Sequence, residues 1–119
     1  MLWYNRVMQI VKHTASRKVS IASTATVWEY DSADKKISGA VAEIHGRYPQ
    51  AGFAQNGFKE LVFVLSGNGF IISPTERKEI DVGDEIFIDN NEQYAWEAKS
   101  MTLFMATTPK FDPKKHKII

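Results

Sequence analysis

Short apolar runs, each closed by turn formers, recur along almost the whole chain. They fall at residues 7–11, 19–22, 26–30, 37–44, 61–65, 70–73, 80–82, 85–88, 94–97 and 101–106. Between them stand Asp31-Ser32-Ala33-Asp34, Pro49-Gln50-Ala51-Gly52, Gln55-Asn56-Gly57, Ser66-Gly67-Asn68-Gly69, Ser73-Pro74-Thr75, Gly83-Asp84 and Asp89-Asn90-Asn91. Runs this short, rich in β-branched and aromatic residues, are strand-length and not helix-length. No long window holds a 3.6-residue apolar period, so almost no helix is expected. The pattern points to an all-β fold, an antiparallel barrel or sandwich.

Two hairpins are expected from local detail. Residues 59–65 lead through Ser66-Gly67-Asn68-Gly69 into 70–73, and glycine and asparagine tolerate the positive φ of a tight turn. Residues 80–82 lead through Gly83-Asp84 into 85–88, where Ile86 and Ile88 share one face and Glu85, Phe87 and Asp89 the other. The run Leu61-Val62-Phe63-Val64-Leu65 has no polar member. It reads as a strand buried on both faces, inside a closed barrel or a dimer sandwich.

With 119 residues, the chain fits one domain, 1–119. Fifteen basic and fourteen acidic residues leave a net charge of +1. No overall field favours nucleic acid or an anionic membrane, and neither is expected as a partner. The absence of cysteine removes disulfide scaffolds, thiolate metal sites and cysteine nucleophiles. Only His13, His45 and His116 supply imidazole. No apolar run nears the roughly 20 residues of a spanning helix, and no leader pattern is visible, so a cytoplasmic location is expected. Residues 1–6, with Leu2, Trp3 and Tyr4, read as an arm across a partner subunit. Residues 110–119 read as a basic, solvated tail.

Two motifs carry a resemblance. Glu60 is followed seven residues on by Gly67, within Lys59-Glu60-Leu61-Val62-Phe63-Val64-Leu65-Ser66-Gly67-Asn68-Gly69-Phe70. Further on, Gly83-Asp84-Glu85-Ile86-Phe87-Ile88-Asp89-Asn90-Asn91-Glu92-Gln93-Tyr94 keeps a second frame. Together they resemble the two motifs of the cupins. Gly46-Arg47-Tyr48-Pro49 and the ending 107–113 are similar to a group of small single-domain cupins. The resemblance implies an antiparallel β-barrel of jelly-roll type, commonly a homodimer. The family binds a metal through three histidines and a glutamate. Here the His-x-His pair would fall in 53–56, which has no histidine, and Tyr94 stands where the last histidine would be. Only Glu60 remains of that quartet. One carboxylate is a poor ligand set for a divalent metal, so neither metal nor cofactor is expected.

Six residues are the candidate ligand contacts. Glu60 should share a strand face with Val62 and Val64, which would set a carboxylate in an apolar interior and raise its pKa. Tyr94 and Trp96 alternate onto one face and could stack a planar ligand. Gln55 and Asn56 occupy the lost histidine positions and could offer hydrogen bonds to a ligand, although beside Gly57 they read more readily as a polar turn. Arg47 and Tyr48 could hold an anionic group. His45 reads as a solvated strand end. The expected function is binding of a small polar or sugar-like ligand in a metal-free barrel, without turnover. The alternative is a metal-independent sugar isomerase or epimerase, in which Glu60 abstracts a proton and Tyr94 donates one.

Overall fold

A computed structural model describes residues 8–119, and the expected arm at 1–6 lies outside them. The described residues form an antiparallel sheet of nine strands: β1 (Arg17–Ala22), β2 (Ala25–Tyr30), β3 (Ser38–Tyr48), β4 (Ala54–Asn56), β5 (Lys59–Ile72), β6 (Arg77–Asp81), β7 (Glu85–Ile88), β8 (Gln93–Thr108) and β9 (His116–Ile118). Among the described residues helix is confined to two single 3-10 turns, His13–Ala15 and Pro113–Lys115. The all-β antiparallel fold is as the turn punctuation predicts, and the jelly-roll-type barrel is as the cupin resemblance implies.

Strand β8 is the spine. β3 pairs along one of its edges, from Ser38 opposite Thr107 to Tyr48 opposite Trp96. β5 pairs along the other, from Lys59 opposite Thr108 to Ile72 opposite Ala95. β1 and β2 extend the sheet beyond β3. β4 takes the start of β8 and carries β9 on its far edge.

Both expected hairpins are corrected. Ser66-Gly67-Asn68-Gly69 does not reverse the chain, because β8 offers a partner long enough for β5 to run straight through. The register shifts between Val64 and Ser66 and between Asn68 and Phe70. Such bulges bend a strand and increase its twist, which a curled sheet needs. The glycines permit close approach: a Cβ on Gly67 would collide with the Ser100 carbonyl, and one on Gly69 with that of Glu97. The reversal comes at residues 73–76, where Ser73 N donates to Glu76 O at 2.8 Å and Ser73 Oγ accepts from Glu76 N at 3.1 Å. β6 and β7 then lie end to end along β5. Between them Gly83 N donates to Val64 O and Val64 N to Asp84 O, both at 3.0 Å, so the ladder continues through Gly83-Asp84. The runs 94–97 and 101–106 likewise belong to one strand, β8.

The run 61–65 is buried on one face only. Glu60, Val62 and Val64 point inward and are nearly inaccessible, while Leu61, Phe63 and Leu65 are 41–46% exposed. Val62 and Val64 join Ala25, Val27, Ala42, Ile44, Ile88, Met101 and Leu103 in one core. The absence of a polar residue in 61–65 therefore reflects an apolar outer face as well as a core face.

Candidate functional site

The concave face of the sheet encloses a cavity of about 600 Å³. Its walls are largely apolar, with Val27, Ala42, Ile44 and Met105 among them. Five polar side chains converge in the wall, each from a different strand: Tyr48 (β3), Asn56 (β4), Glu60 (β5), Tyr94 (β8) and His116 (β9). The more exposed part of the lining carries Arg17 and Asp31, with Glu29 and Lys110. Arg17 is already paired to both Glu29 and Asp31.

The five residues form one hydrogen-bonded chain. Tyr48 Oη lies 2.7 Å from His116 Nε2, and His116 Nδ1 lies 2.6 Å from Asn56 Oδ1. Asn56 Nδ2 donates to Tyr94 Oη at 2.9 Å and reaches Glu60 Oε1 at 3.5 Å. An amide oxygen can only accept, so the His116 proton sits on Nδ1. Nε2 of the neutral ring is then an acceptor, and the Tyr48 hydroxyl donates to it. On the far side, the Asn56 N–H occupies the Tyr94 oxygen, leaving the Tyr94 proton for Glu60. Among the described residues no buried side-chain polar atom lacks a partner.

Burial dominates the protonation states. It pushes the Glu60 carboxyl up to about 7, with the Tyr94 hydrogen bond opposing it. Burial, and then the nearby Glu60 carboxylate, push both the Tyr94 and the Tyr48 hydroxyl up. Burial pushes His116 down, in keeping with a neutral ring. A carboxyl that titrates near neutrality inside a cavity can both take and give a proton.

Of the six candidate contacts, Glu60, Tyr94, Trp96 and Tyr48 line the cavity. Gln55 and Arg47 are outside its lining. On β4 the side chains alternate, so the buried inward position falls to Asn56 and Gln55 turns toward Gln93. Arg47 instead ties the loop after β3, donating to Pro49 O at 2.7 Å and Gly52 O at 2.9 Å. His45 is exposed, as expected of a strand end. The tail reading is corrected: 110–119 is a strap that contributes Lys110, Phe111, Pro113 and His116 to the cavity. It is held by β9 on β4 and by reciprocal bonds between Phe53 and Ile119 at 2.8 and 2.9 Å. His116 gave no signal in the sequence, lying 68 residues from the tyrosine that it meets.

The cavity residues do not fit a divalent cation. Among the described residues no group of three His, Asp or Glu side chains converges. The one imidazole in the site spends both nitrogens on a tyrosine and an amide, and Tyr94 stands against Asn56. Nor is any helix among the described residues long and apolar enough to cross a membrane.

Solved structures share this architecture at low sequence identity. Streptomyces Pac13 with uridine superposes with a TM-score of 0.83 at 15% identity, covering 95% of this chain and 92% of that one. An RmlC-like cupin from Shewanella frigidimarina gives 0.75 at 8% identity, over 91% and 96% of the two chains. The chain has the cupin fold. The polyketide cyclase RemF from Streptomyces resistomycificus also matches, with a TM-score of 0.76 at 13% identity, over 95% and 86%. No protein-family model and no curated protein matches the chain. Within the cupin fold this chain places an amide, two phenols and one imidazole around a lone glutamate.

Proposed function

We propose that this cupin-fold chain binds a small hydroxylated molecule in the barrel cavity and performs metal-independent acid–base chemistry on it. The observation that carries the reading is Glu60, a carboxyl buried in the cavity wall with its pKa raised to about 7. General acid–base groups work best when they titrate near the operating pH. The apolar walls and Trp96 suit a ligand with a flat or apolar body and a polar head turned toward Glu60. Paired charges at Arg17, Glu29 and Asp31 favour a neutral or weakly charged ligand. Pac13 is described as a nucleoside dehydratase and RemF as a polyketide cyclase. Elimination and cyclisation therefore join isomerisation and epimerisation as the reaction classes to test.

A second reading is binding without turnover. It is favoured by the closed hydrogen-bond chain, in which the polar side chains of the cluster already serve as one another's partners. A thermal-shift panel of nucleosides, nucleotide sugars and hydroxylated aromatics, followed by deuterium wash-in from solvent, separates the two. Stabilisation with exchange that Glu60→Gln abolishes supports catalysis. Stabilisation without exchange leaves a binding module. No stabilisation by any class would sink both.

A further inference from the structure

Acid–base chemistry at Glu60 gives no task to Tyr48 and His116, although both line the cavity. Their geometry is specific. The Tyr48 hydroxyl spends its hydrogen on His116 Nε2 at 2.7 Å, so toward the cavity it offers lone pairs. The rings of Tyr48 and His116 are near parallel, with an interplanar angle of 9°, which fixes the line between the two atoms. His116 is held on its other side by Asn56 Oδ1 at 2.6 Å, and Asn56 is itself fully buried. The Asn56 oxygen faces His116, while its N–H faces Tyr94 and Glu60.

We propose that Tyr48 and His116 form a second proton-accepting centre of the cavity, with Tyr48 touching the ligand and Asn56 holding His116 in the tautomer that the transfer needs. This rests on the reading of the cavity as a ligand site. In the step, the ligand O–H bond breaks and its proton bonds to Tyr48 Oη. The proton that Tyr48 held passes to His116 Nε2. A ligand oxyanion and an imidazolium result, and the charge is balanced inside the cavity. Glu60 in its acid form faces the same space and can protonate a second ligand oxygen. Asn56 is a positioning residue: it exchanges no proton, but it decides which imidazole nitrogen is free. Tyrosine alone, with its hydroxyl pushed up by burial, would be a feeble base. The imidazole behind it takes the proton that the phenol gives up, as in other hydroxyl–histidine pairs.

Nitrogen-15 NMR of the full chain labelled at histidine tests the tautomer. The expected result is a neutral His116 with its proton on Nδ1 at neutral pH. A proton on Nε2 would overturn the proposal, because Tyr48 would then be an acceptor with nothing behind it. Tyr48→Phe should keep the Nδ1 proton and move only the Nε2 resonance, and the loss of one hydroxyl at the cavity wall leaves the core intact. Absorbance of para-nitrophenol supplies a second readout. Dye bound to the wild type should absorb as the phenolate at a pH where free dye is mostly neutral, and this should be lost in both Tyr48→Phe and His116→Gln. Dye bound in the neutral form throughout would overturn the proposal. Dye that fails to bind counts against the cavity as a ligand site, while the tautomer still decides the pair.

Discussion

Glu60 couples the site to the stability of the barrel. Its native pKa, about 7, lies above its usual 4.5, so the folded state holds the proton more tightly than the unfolded state. Stability is therefore greatest below pH 4.5 as far as this group is concerned, falls as pH rises toward 7, and is level above it. The difference corresponds to about 3 kcal/mol. Urea denaturation of wild type and Glu60→Gln across that window should show the variant gaining on the wild type by about this amount. Tyr94→Phe should act in two ways. It removes the hydroxyl that opposes the rise, so the Glu60 midpoint, followed by carbon-13 NMR, should move up. It also strips Asn56 Nδ2 of its 2.9 Å partner, at a cost of about 1–3 kcal/mol. At this scale Glu60 and Tyr94 were legible because each sits at a defined step of an alternating strand. His116 was not, because nothing in a lysine-rich ending marks one side chain for the interior.

Strand β9 and the bends of β5 are where element-level tests belong. Removing residues 116–119 would take away His116, the β9 edge of β4 and the Phe53–Ile119 bonds together. The shortened chain should keep the β3–β8–β5 sheet by circular dichroism and lose ligand-induced thermal shifts. Retention of those shifts would show that the strap is dispensable. Gly69→Ala places a methyl against the Glu97 carbonyl and the Ala98 side chain, where backbone must give way. A loss of about 1–3 kcal/mol is expected in denaturant unfolding. Glycine carries two meanings in a β protein, reversal and close approach, and the composition of 66–69 fits both. The length of the opposing partner decides between them, and β8 lies some thirty residues downstream, beyond the reach of a local pattern. The same ambiguity explains why 80–88 reads as a hairpin yet lies as two tandem segments on β5.

On the scale of the molecule, the outer face of the sheet carries an apolar patch on β5, β7 and β8. Phe63 lies opposite Phe104, and Leu61 lies opposite Phe87, with all four 41–54% exposed. A contiguous exposed patch of this kind commonly marks an interaction surface. The homodimer that the cupin resemblance implies would use it. Light scattering should report a dimer for the wild type and a monomer for Phe63→Glu/Phe104→Glu, with the cavity ligand response unchanged. A monomeric wild type would leave the face to another role.

The five polar residues of the cavity come from five strands, and their closest pairing in sequence, Asn56 with Glu60, still spans the turn between β4 and β5. Every other link joins residues tens of positions apart. Folds dominated by such distant pairings pay their loop-closure entropy early and gather slowly, over milliseconds to seconds. No hairpin or early half-sheet can hold the cluster, so a chain part-way to its native state has no site. The appearance of a neutral, Nδ1-protonated His116 during refolding would time the final closure of the barrel.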